Sequence, residues 1–408
     1  METIIHVITR LDMGGSAQNT LATCLGTAGR YRNILVHGLA RESRMTAEEE
    51  AILRQRTEEG RRRGVVFLPM ASLVRRISPL NDTAAAFALW RLCRRLRPAI
   101  VHTHTSKAGI VGRLAARLAG VETVVHTPHG HVFFGYSSRA ASLCFILLER
   151  LFTRLCDRLI ALTPGERRDY LDRRVAPAGK IDLVHSGVDL KPFADGVRQE
   201  RRAALRRLGL PEDCGKIVGT VGWLSPIKNP LGLFEAMEQV WQRFPEAHLV
   251  YVGKGELEEE LRRRIDKSGK AERVSLLGWR RDIHLIMPLF DCFVLASLNE
   301  GMGRVLVEAM AAGRPLVATR VCGIPDLVED GDNGHLVEPD DPAGMAAAIA
   351  RILADPEGAA AMGERGRRRS RHFSQEEMLR LLDGIYRQAI ARRPQRLRLT
   401  AAGGETEG

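Results

Sequence analysis

The chain has 408 residues, 45% of them hydrophobic and 5% aromatic, with a formal net charge of +12. That length favours two domains over one, and the charge favours a polyanionic partner, either a phosphorylated ligand or an anionic membrane. The few aromatic residues, with no basic segment interleaved with aromatics, argue against a nucleic-acid-binding protein. No apolar run reaches the roughly 18 residues that span a bilayer.

The cysteine pattern indicates the compartment. The seven cysteines are scattered and form no C-x-x-C pair, which predicts reduced core cysteines and a cytoplasmic protein. Residues 1–9 are too short for the apolar part of a secretion signal, so they predict a first strand instead.

The first half alternates apolar strands with helical segments, which predicts an α/β domain. Gly14 and Gly15 stand between the first strand and the first helix, where they form a tight turn or let a ligand approach the backbone closely. Strands are predicted at 3–9, 33–40, 64–69, 100–105, from 123 to Pro128, and at 158–163. Helices are predicted from 17, within 42–63, at 81–96, from 106, and at 139–158.

The strand at 100–105 ends beside three residues of chemical interest. His102 and His104 share one strand face at a spacing that suits metal ligands, but no third ligand is evident, so no metal site is predicted. Lys107 lies at a helix start, where its charge opposes the helix dipole. That placement indicates a bound anion, with a solvated lysine as the equal alternative.

The strand from Thr123 ends in PHGH, residues 128–131. His129 therefore stands at the C-terminal end of a parallel strand, where open α/β sheets place ligands. A regular strand turns His126 to the opposite face. On the residues alone, a packed or capping histidine at 129 remains the alternative.

The helix predicted at 139–158 is amphipathic. Its apolar positions include Leu143, Leu147 and Leu151, and its polar side carries Arg150 and Arg154 at a spacing of four. Packing on a core and contact with a membrane surface both fit this pattern.

The second half predicts a second sheet, with strands at 217–221, 248–252, 274–278, 292–296 and 316–319. Loops rich in glycine or basic residues follow these strands. Lys228 follows the first strand, Gly253 and Gly255 follow the second, and Trp279 and Arg280 follow the third. A late helix at 374–390 begins with the capping-box sequence SQEE, and residues 393–408 predict a disordered tail.

Residues 297–319, SLNEGMGRVLVEAMAAGRPLVAT, predict a loop, a helix from Arg304 and a further strand. The free N–H groups and the positive end of that helix suit an anion, and Gly301 and Gly303 admit a diphosphate to the backbone. Glu300 and Glu308 bracket this position, and carboxylates accept hydrogen bonds from ribose and sugar hydroxyls. The alternative is an ordinary turn with two surface glutamates.

Residues 300–319 resemble the signature of family 4 glycosyltransferases, E-G-x-G-x-x-x-x-E-A-M-A-x-G-x-P-x-V-A-T, at every fixed position. Residues 182–193 resemble the family's interdomain segment, with His185 and Ser186 around its usual asparagine. Lys228 matches the lysine of the family pattern G-R-x-x-x-x-K, whereas Trp223 stands where arginine is usual.

The resemblance implies the GT-B fold, in which two Rossmann-like α/β domains have parallel sheets that face a central cleft. Residues 1–192 would bind the acceptor, residues 193–373 the nucleotide-sugar, and the helix at 374–392 would cross back to the first domain. The implied reaction is metal-independent and cofactor-free, and it retains the anomeric configuration.

The resemblance also implies the substrates and the location. The donor would be a nucleotide-diphosphate sugar, with UDP favoured over GDP. The acceptor would be a glycan or a polyprenyl-diphosphate-linked glycan of cell-surface polysaccharide biosynthesis. The protein would be cytoplasmic, peripheral on the inner face of the cytoplasmic membrane, with an anionic surface as a partner.

Roles carry over by position. Lys228 would neutralise the leaving diphosphate, and His129 would contact the donor sugar and the acceptor. Glu300 would bind hydroxyls of the sugar, and Glu308 would bind the ribose. The other implied donor contacts are Gly14, Gly15, Trp223, Gly253, Gly255, Trp279, Arg280, Gly301, Met302, Gly303 and Arg304. The implied acceptor contacts are His104, Lys107 and His131. Two alternatives stay open: a GT-B enzyme that epimerises a nucleotide-sugar, and a non-catalytic GT-B subunit, which Trp223 alone supports.

Overall fold

A computed structural model describes residues 1–39, 45–129, 139–194, 201–212 and 214–392. Backbone contacts divide them into two units: unit 1 holds 1–162, 166–185 and the described residues from Met378 onwards, and unit 2 holds 163–165 and 186–377. The boundary lies after His185 rather than at 192. The reason is Val188, which is in the core of unit 2 and pairs its backbone with Phe373 and Gln375.

Unit 1 alternates strands and helices. In chain order the elements are β1 (Thr3–Ile8), α1 (Gly15–Thr27), β2 (Arg32–His37), α2 (Ala47–Arg62), β3 (Val66–Pro69), α3 (Pro79–Leu96), β4 (Ile100–His104), α4 (Ser106–Leu118), β5 (Thr123–Thr127), α5 (Arg139–Thr153), β6 (Arg158–Ala161), α6 (Pro164–Asp172) and β7 (Ile181–Leu183). The strands are parallel, in the order β3-β2-β1-β4-β5-β6-β7.

Helices cover both sides of this sheet, which explains why its strands read as continuous apolar runs. Ile5, Val101 and Val124 face α3 and α4 in one core cluster. Ile4 and Ile100 point to the other side, which α1, α2 and a late helix cover.

Unit 2 repeats the pattern. From Lys191 onwards the elements are α7 (Lys191–Ala194), α8 (Arg201–Arg207), β8 (Ile217–Val221), α9 (Pro230–Arg243), β9 (His248–Val252), α10 (Glu258–Ser268), β10 (Val274–Leu276), α11 (Ile283–Ile286), β11 (Cys292–Leu295), α12 (Arg304–Ala311), β12 (Leu316–Thr319), α13 (Ile324–Leu327), β13 (Gly334–Val337), α14 (Pro342–Ala354), α15 (Pro356–Ser370) and α16 (Gln375–Ala391), of which α16 is shared between the units. The strands are again parallel, in the order β10-β9-β8-β11-β12-β13.

Helix α16 starts in unit 2 and from Met378 packs on unit 1, as the resemblance predicts for a crossover helix. Its Asp383 accepts a 2.8 Å hydrogen bond from the Tyr31 hydroxyl and forms ion pairs with Arg30 and Arg387. Tyr386, fully buried, places its hydroxyl 2.6 Å from Nδ1 of His102.

In each sheet the strand order reverses direction once. The switch lies between β1 and β4 in unit 1 and between β8 and β11 in unit 2. Such points are where open α/β sheets bind ligands, beyond the carboxyl ends of the strands. The predicted tail at 393–408 lies outside the described residues. Within the described part of the chain, no helix combines the length and apolarity needed to cross a bilayer.

Candidate functional site

The loops at the carboxyl edge of the unit 2 sheet are joined by backbone hydrogen bonds. The Gly222 amide donates to the Val252 carbonyl at 2.9 Å, and the Gly253 amide donates to the Gly278 carbonyl at 2.8 Å. A Cβ on Gly253 would lie 1.9 Å from the Gly222 carbonyl oxygen, and φ is 143° there. Gly253 is therefore required for this close packing of loops, before any ligand is considered.

Gly255 has the same explanation. A Cβ there would lie 2.3 Å from the Leu224 carbonyl oxygen. The Leu224 amide donates to the Lys254 carbonyl at 2.9 Å, which closes the β8 and β9 loops into one layer. These hydrogen bonds fix the backbone of the loop that contains Trp223 and Lys228.

Helix α12 presents its N-terminus at the same edge. Gly303 caps it with φ 64°, a left-handed conformation that suits glycine, and the first helical turn closes from the Leu306 amide to the Gly303 carbonyl at 2.8 Å. The amides ahead of that bond lie at the positive end of the helix. The Glu300–Gly303 loop thus places a helix N-terminus, whose free amides suit an anion, at the switch point.

Lys228 and Glu300 form an ion pair there. Lys228 ends a short turn, and Asn229 fixes that turn because its side chain accepts the Gly232 amide at 3.1 Å and caps α9. The side chains of Lys228 and Glu300 remain 29% and 16% exposed. Ser297 Oγ lies 3.4 Å from the same Glu300 oxygen. A diphosphate can bind the Lys228 ammonium, and sugar hydroxyls can donate to the Glu300 carboxylate. A nucleotide-sugar could therefore supply a new partner for each member of this ion pair.

Glu308 lies one turn into α12 and is half-buried. Burial raises the pKa of its carboxyl to about 7, and the nearby Arg304 guanidinium partly opposes this shift. Arg304 also donates to Ser186 Oγ at 3.0 Å. Glu308 therefore changes charge near neutral pH.

Other predicted donor contacts differ in availability. Trp223 is 53% exposed and lines a small cavity with Lys228. Arg280 makes two bonds to the Asp282 carboxylate, at 2.9 and 2.6 Å, so it already holds an anion. The Arg281 guanidinium lies 5.7 Å from the centroid of the Trp279 ring, in a cation–π contact.

Met302 departs from the prediction. Its side chain is 4% exposed within the unit 2 core, and its sulfur accepts the Ser186 amide at 3.1 Å. Its buried side chain is thus not placed to contact a donor. The sequence placed it in the site because it stands between two glycines.

In unit 1, Gly14 lies just beyond β1 at the switch point. Its amide donates to Asp12 Oδ1 at 3.0 Å, and a Cβ on Gly14 would lie 3.0 Å from that same oxygen. Gly15 then begins α1. The pair forms a tight turn, so close approach to a ligand stays a prediction.

A chain of imidazoles leads from the core of unit 1 to its switch point. His6 Nδ1 lies 3.2 Å from His104 Nε2, and His104 Nδ1 lies 2.9 Å from His129 Nε2. His129 follows β5 with φ 62°, a strained conformation for a residue other than glycine. His104 is 1% exposed, so it reaches the surface only through His129 and is not itself placed to contact an acceptor. The chain holds the ring of His129, the histidine that the sequence assigned to contact with both donor sugar and acceptor.

His6 is also the third histidine that the sequence did not reveal. It stands opposite His102 in the β1–β4 register, and His6, His102 and His104 bring ligand atoms within 4.8 Å of one another. Both ring nitrogens of His102 are engaged, with Tyr386 and with Thr127 Oγ1 at 2.8 Å. The cluster is therefore a hydrogen-bonded network, and the absence of a metal site stays a prediction.

Burial controls the charge of these rings. It lowers the pKa of His6 to about 4, with the Asn33 side chain opposing, and lowers the pKa values of His102 and His104 well below the ordinary value. The neighbouring imidazoles add to the shift for His102 and His104. His6, His102 and His104 are therefore neutral at pH 7, so in the contact between His6 and His104 one ring nitrogen donates and the other accepts.

Lys107 has an anion partner, but it belongs to the protein. Its ammonium lies 2.7 Å from Asp82 Oδ1 and also donates to the Arg76 carbonyl. His131 lies outside the described residues. His126, as predicted, points to the opposite face of the sheet from His102 and His104. Its ring lies 2.9 Å from Thr103 Oγ1 there.

Two family profiles match the chain. The profile described as Glycosyltransferase Family 4 matches residues 15–192, and the profile described as Glycosyl transferases group 1 matches residues 202–369. Together they cover both units.

Named relatives match over most of their length. An Escherichia coli UDP-Gal:alpha-D-GlcNAc-diphosphoundecaprenol alpha-1,3-galactosyltransferase is 34% identical over 296 residues, 71% of this chain and 74% of the relative. A D-inositol 3-phosphate glycosyltransferase of Salinispora arenicola is 32% identical over 314 residues, 72% of this chain and 69% of the relative.

Solved structures share the fold. Anabaena HepE in complex with UDP superposes with a TM-score of 0.78 at 20% identity, covering 95% of this chain and 100% of that one. Sucrose-phosphate synthase from Thermosynechococcus elongatus superposes with a TM-score of 0.76 at 23% identity, covering 96% and 100%.

Proposed function

The chain belongs to glycosyltransferase family 4 and is a glycosyltransferase of the GT-B fold, and from this premise we propose that it transfers one sugar from a UDP-sugar to a polyprenyl-diphosphate-linked glycan. The transfer retains the anomeric configuration and needs no metal. The product belongs to cell-surface polysaccharide assembly, at the inner face of the cytoplasmic membrane.

The Lys228–Glu300 pair beside the Gly303-capped end of α12 carries this proposal. During transfer the bond between the anomeric carbon and the diphosphate oxygen breaks, and negative charge grows on the diphosphate. Lys228 and the α12 amides stabilise that charge, and because they are held in place beforehand, little reorganisation is needed. Glu300 holds the sugar hydroxyls, and Glu308 accepts the ribose hydroxyls.

The acceptor step uses the same leaving group. The acceptor oxygen bonds to the anomeric carbon on the face that the diphosphate leaves, and the acceptor proton passes to the departing diphosphate oxygen. His129 orients donor sugar and acceptor, and the imidazole chain through His104 and His6 holds its ring. No protein nucleophile is needed in this scheme.

Two observations support the acceptor class. The relative from Escherichia coli, 34% identical, is named for transfer to a diphosphoundecaprenol-linked GlcNAc. The net charge of +12 favours an anionic surface, where lipid-linked diphosphates reside. UDP as the nucleotide of the donor is supported by that relative's name and by the HepE–UDP complex with the same fold.

The test is transfer of radiolabelled sugar from a panel of UDP- and GDP-sugars to GlcNAc-diphosphoundecaprenol. Lys228→Met should lower turnover by about 100-fold or more, because it removes stabilisation of the charge that grows on the diphosphate. Glu300→Gln should have an effect of about the same size, because it removes the carboxylate that holds the sugar hydroxyls. Lys267→Met, on the exposed face of α10, is the matched control and should keep full turnover.

Two results would contradict the proposal. One is unchanged turnover in both site variants. The other is release of an altered nucleotide-sugar without any acceptor, which would identify an epimerase.

A further inference from the structure

Three helices of unit 1 display large apolar side chains on their outward sides. On α5, Leu143, Leu147 and Leu151 recur every fourth residue and are 56%, 52% and 55% exposed. We call the whole set the leucine face. It comprises Leu80, Phe87, Leu114, Leu118, Leu143, Leu147 and Leu151, together with Ile77 just before α3.

These residues lie on one side of the unit 1 sheet. Leu159 of β6 pairs in register with His126 of β5, which shares a face with Val124, so the cores beneath α3, α4 and α5 are on the same side. A buried ion pair joins α4 to α5: the Arg113 guanidinium donates to both oxygens of Glu149, at 3.2 and 3.0 Å. The outward sides of the three helices therefore form one surface of side-by-side apolar stripes.

The exposed charges carried by α3, α4 and α5 themselves are mostly positive. Between Met70 and Val121 the chain contains one acidic residue, Asp82, and its carboxylate is paired with Lys107. The one acidic residue of α5, Glu149, is buried against Arg113. Exposed arginines remain at positions 75, 76, 91, 94 and 95.

Aromatic residues lie among these arginines. The Phe87 and Trp90 rings stack with centroids 5.5 Å apart, and the Arg91 guanidinium lies 6.0 Å from the Phe87 centroid. Side chains with an apolar body and a polar or charged tip suit the boundary between lipid headgroups and acyl chains.

The opposite side of unit 1 differs. There the exposed surface of α2 mixes Glu48, Glu50 and Glu58 with arginines, and no exposed leucine stripe occurs among its described residues. An apolar face that is rimmed by cations and has its acidic groups neutralised fits an anionic bilayer surface better than it fits a typical protein partner, whose rim would carry both signs.

We propose that the leucine face docks unit 1 on an anionic membrane leaflet. The leucines enter the boundary between headgroups and acyl chains, and the arginines bind lipid phosphates. This deepens the proposed function, since it holds the acceptor-binding unit at the leaflet that carries a lipid-linked acceptor. The docking itself requires neither donor nor turnover.

The experiment measures co-flotation of the full chain with vesicles of phosphatidylcholine alone or mixed with phosphatidylglycerol, without nucleotide-sugar. We expect binding to the mixed vesicles that weakens as salt rises. The triple variant Leu143→Gln, Leu147→Gln, Leu151→Gln should bind at least about tenfold more weakly, because half-exposed leucines can be replaced without opening a core.

Charge is tested with a matched pair of variants. Arg91→Gln, Arg94→Gln, Arg95→Gln should lose at least about tenfold in binding to mixed vesicles, since each arginine near an anionic surface contributes measurably. The control Arg61→Gln, Arg62→Gln, Arg63→Gln removes the same charge from exposed positions at the end of α2, on the other side of the sheet, and should bind as the unmodified protein does.

An environment-sensitive fluorophore on Cys144, the exposed cysteine beside Leu143, should report entry into an apolar medium when mixed vesicles are added.

The proposal is overturned if the protein does not float, if the leucine variant floats like the unmodified protein, or if the leucines instead hold a dimer that the triple variant dissociates. Transfer to a water-soluble acceptor should persist in the leucine variant. If the unmodified protein also fails to transfer sugar to that acceptor, the result counts against the proposed function and not against docking.

Discussion

Glu308 is the residue at the site whose charge changes near neutral pH. Its carboxyl has a pKa of about 7 because burial disfavours the ionised form. If the ionised carboxylate accepts the ribose hydroxyls, nucleotide binding must pull the proton off. Affinity then depends on how much of Glu308 is already ionised.

We therefore expect UDP affinity to fall by about tenfold between roughly pH 8 and pH 6, since the ionised fraction of Glu308 falls by about that factor across its pKa. Glu308→Gln should lower the affinity and remove this part of the pH dependence. Isothermal titration calorimetry at several pH values measures both. The titration of UDP itself is common to the two proteins, so equal slopes would exclude Glu308 from the ribose site.

At this scale the sequence predicted which unit 2 residues lie together, whereas their roles in binding stay predictions. Glu300, Gly303 and Glu308 occur together in one short segment, so their proximity follows from local structure. His6 was missed because its contact with His104 spans 98 residues and depends on which strands are neighbours. No local pattern reports that pairing.

Among the elements, the loop before α12 allows a direct test of the geometry. Gly303 has φ 64°, and a Cβ there would lie 3.1 Å from the Leu306 side chain. Gly303→Ala should lower the free energy of unfolding by about 1 kcal/mol, since alanine is strained in a left-handed conformation.

Gly222→Ala is the control for that variant. Gly222 lies at the same sheet edge, has no left-handed φ and would place a Cβ in open space. Denaturant unfolding of both variants should separate them. Equal stability would mean that the left-handed cap at Gly303 is not required.

Helix α5 shows what periodicity leaves undecided. The sequence predicted a helix here, and it assigned Leu143, Leu147 and Leu151 to the apolar side and Arg150 to the polar side. In the structure those leucines are exposed, whereas Arg150 is half-buried and donates to the Arg173 carbonyl at 2.8 Å. The helix is apolar around most of its circumference, so its pattern predicts a helix without saying which side faces the core.

On the scale of the whole molecule, the two units should respond differently to acid. Four histidines of unit 1 are essentially fully buried: His6, His102, His104 and His126. Burial lowers the pKa of each. In unit 2, His248 is the comparable described residue, with a pKa lowered to about 4.

The sign follows from proton binding. Below about pH 6.5 the unfolded chain protonates these histidines and the folded chain does not, so stability is lost as pH falls from there towards the lowered pKa values. Each unit of pKa difference corresponds to about 1.4 kcal/mol. Glu166 and Asp182 in unit 1 act the other way, because burial raises the pKa of both carboxyls, that of Glu166 to about 7, but they are two groups against four.

We expect hydrogen exchange at about pH 5 to show β1, β4 and β5 losing protection before β8 and β11, with the two units similar at about pH 7. Substituting His126, whose ring packs against Gly109, with an uncharged residue of similar size should move the loss to lower pH. Earlier loss in unit 2 would contradict the assignment of acid sensitivity to these histidines.

The division into two units was predictable from the length of the chain and from the two successive sets of predicted strands. The boundary near 185 was not, because it depends on Val188 pairing with residues far along the chain. Likewise the crossover helix came from resemblance, since its own sequence shows only an amphipathic helix with a capping box.

The way α16 completes unit 1 bears on how the protein is made. Tyr31 and Asp383 are 352 residues apart, and Ile4, Ile100, Val125 and Ile160 lie in the cluster that α16 covers. The ribosome delivers that helix only after residues 186–377, which at about 5–20 residues per second takes on the order of ten to forty seconds. The nascent chain therefore carries an uncovered apolar sheet surface while unit 2 emerges, and the sheet synthesised first is the last to be closed.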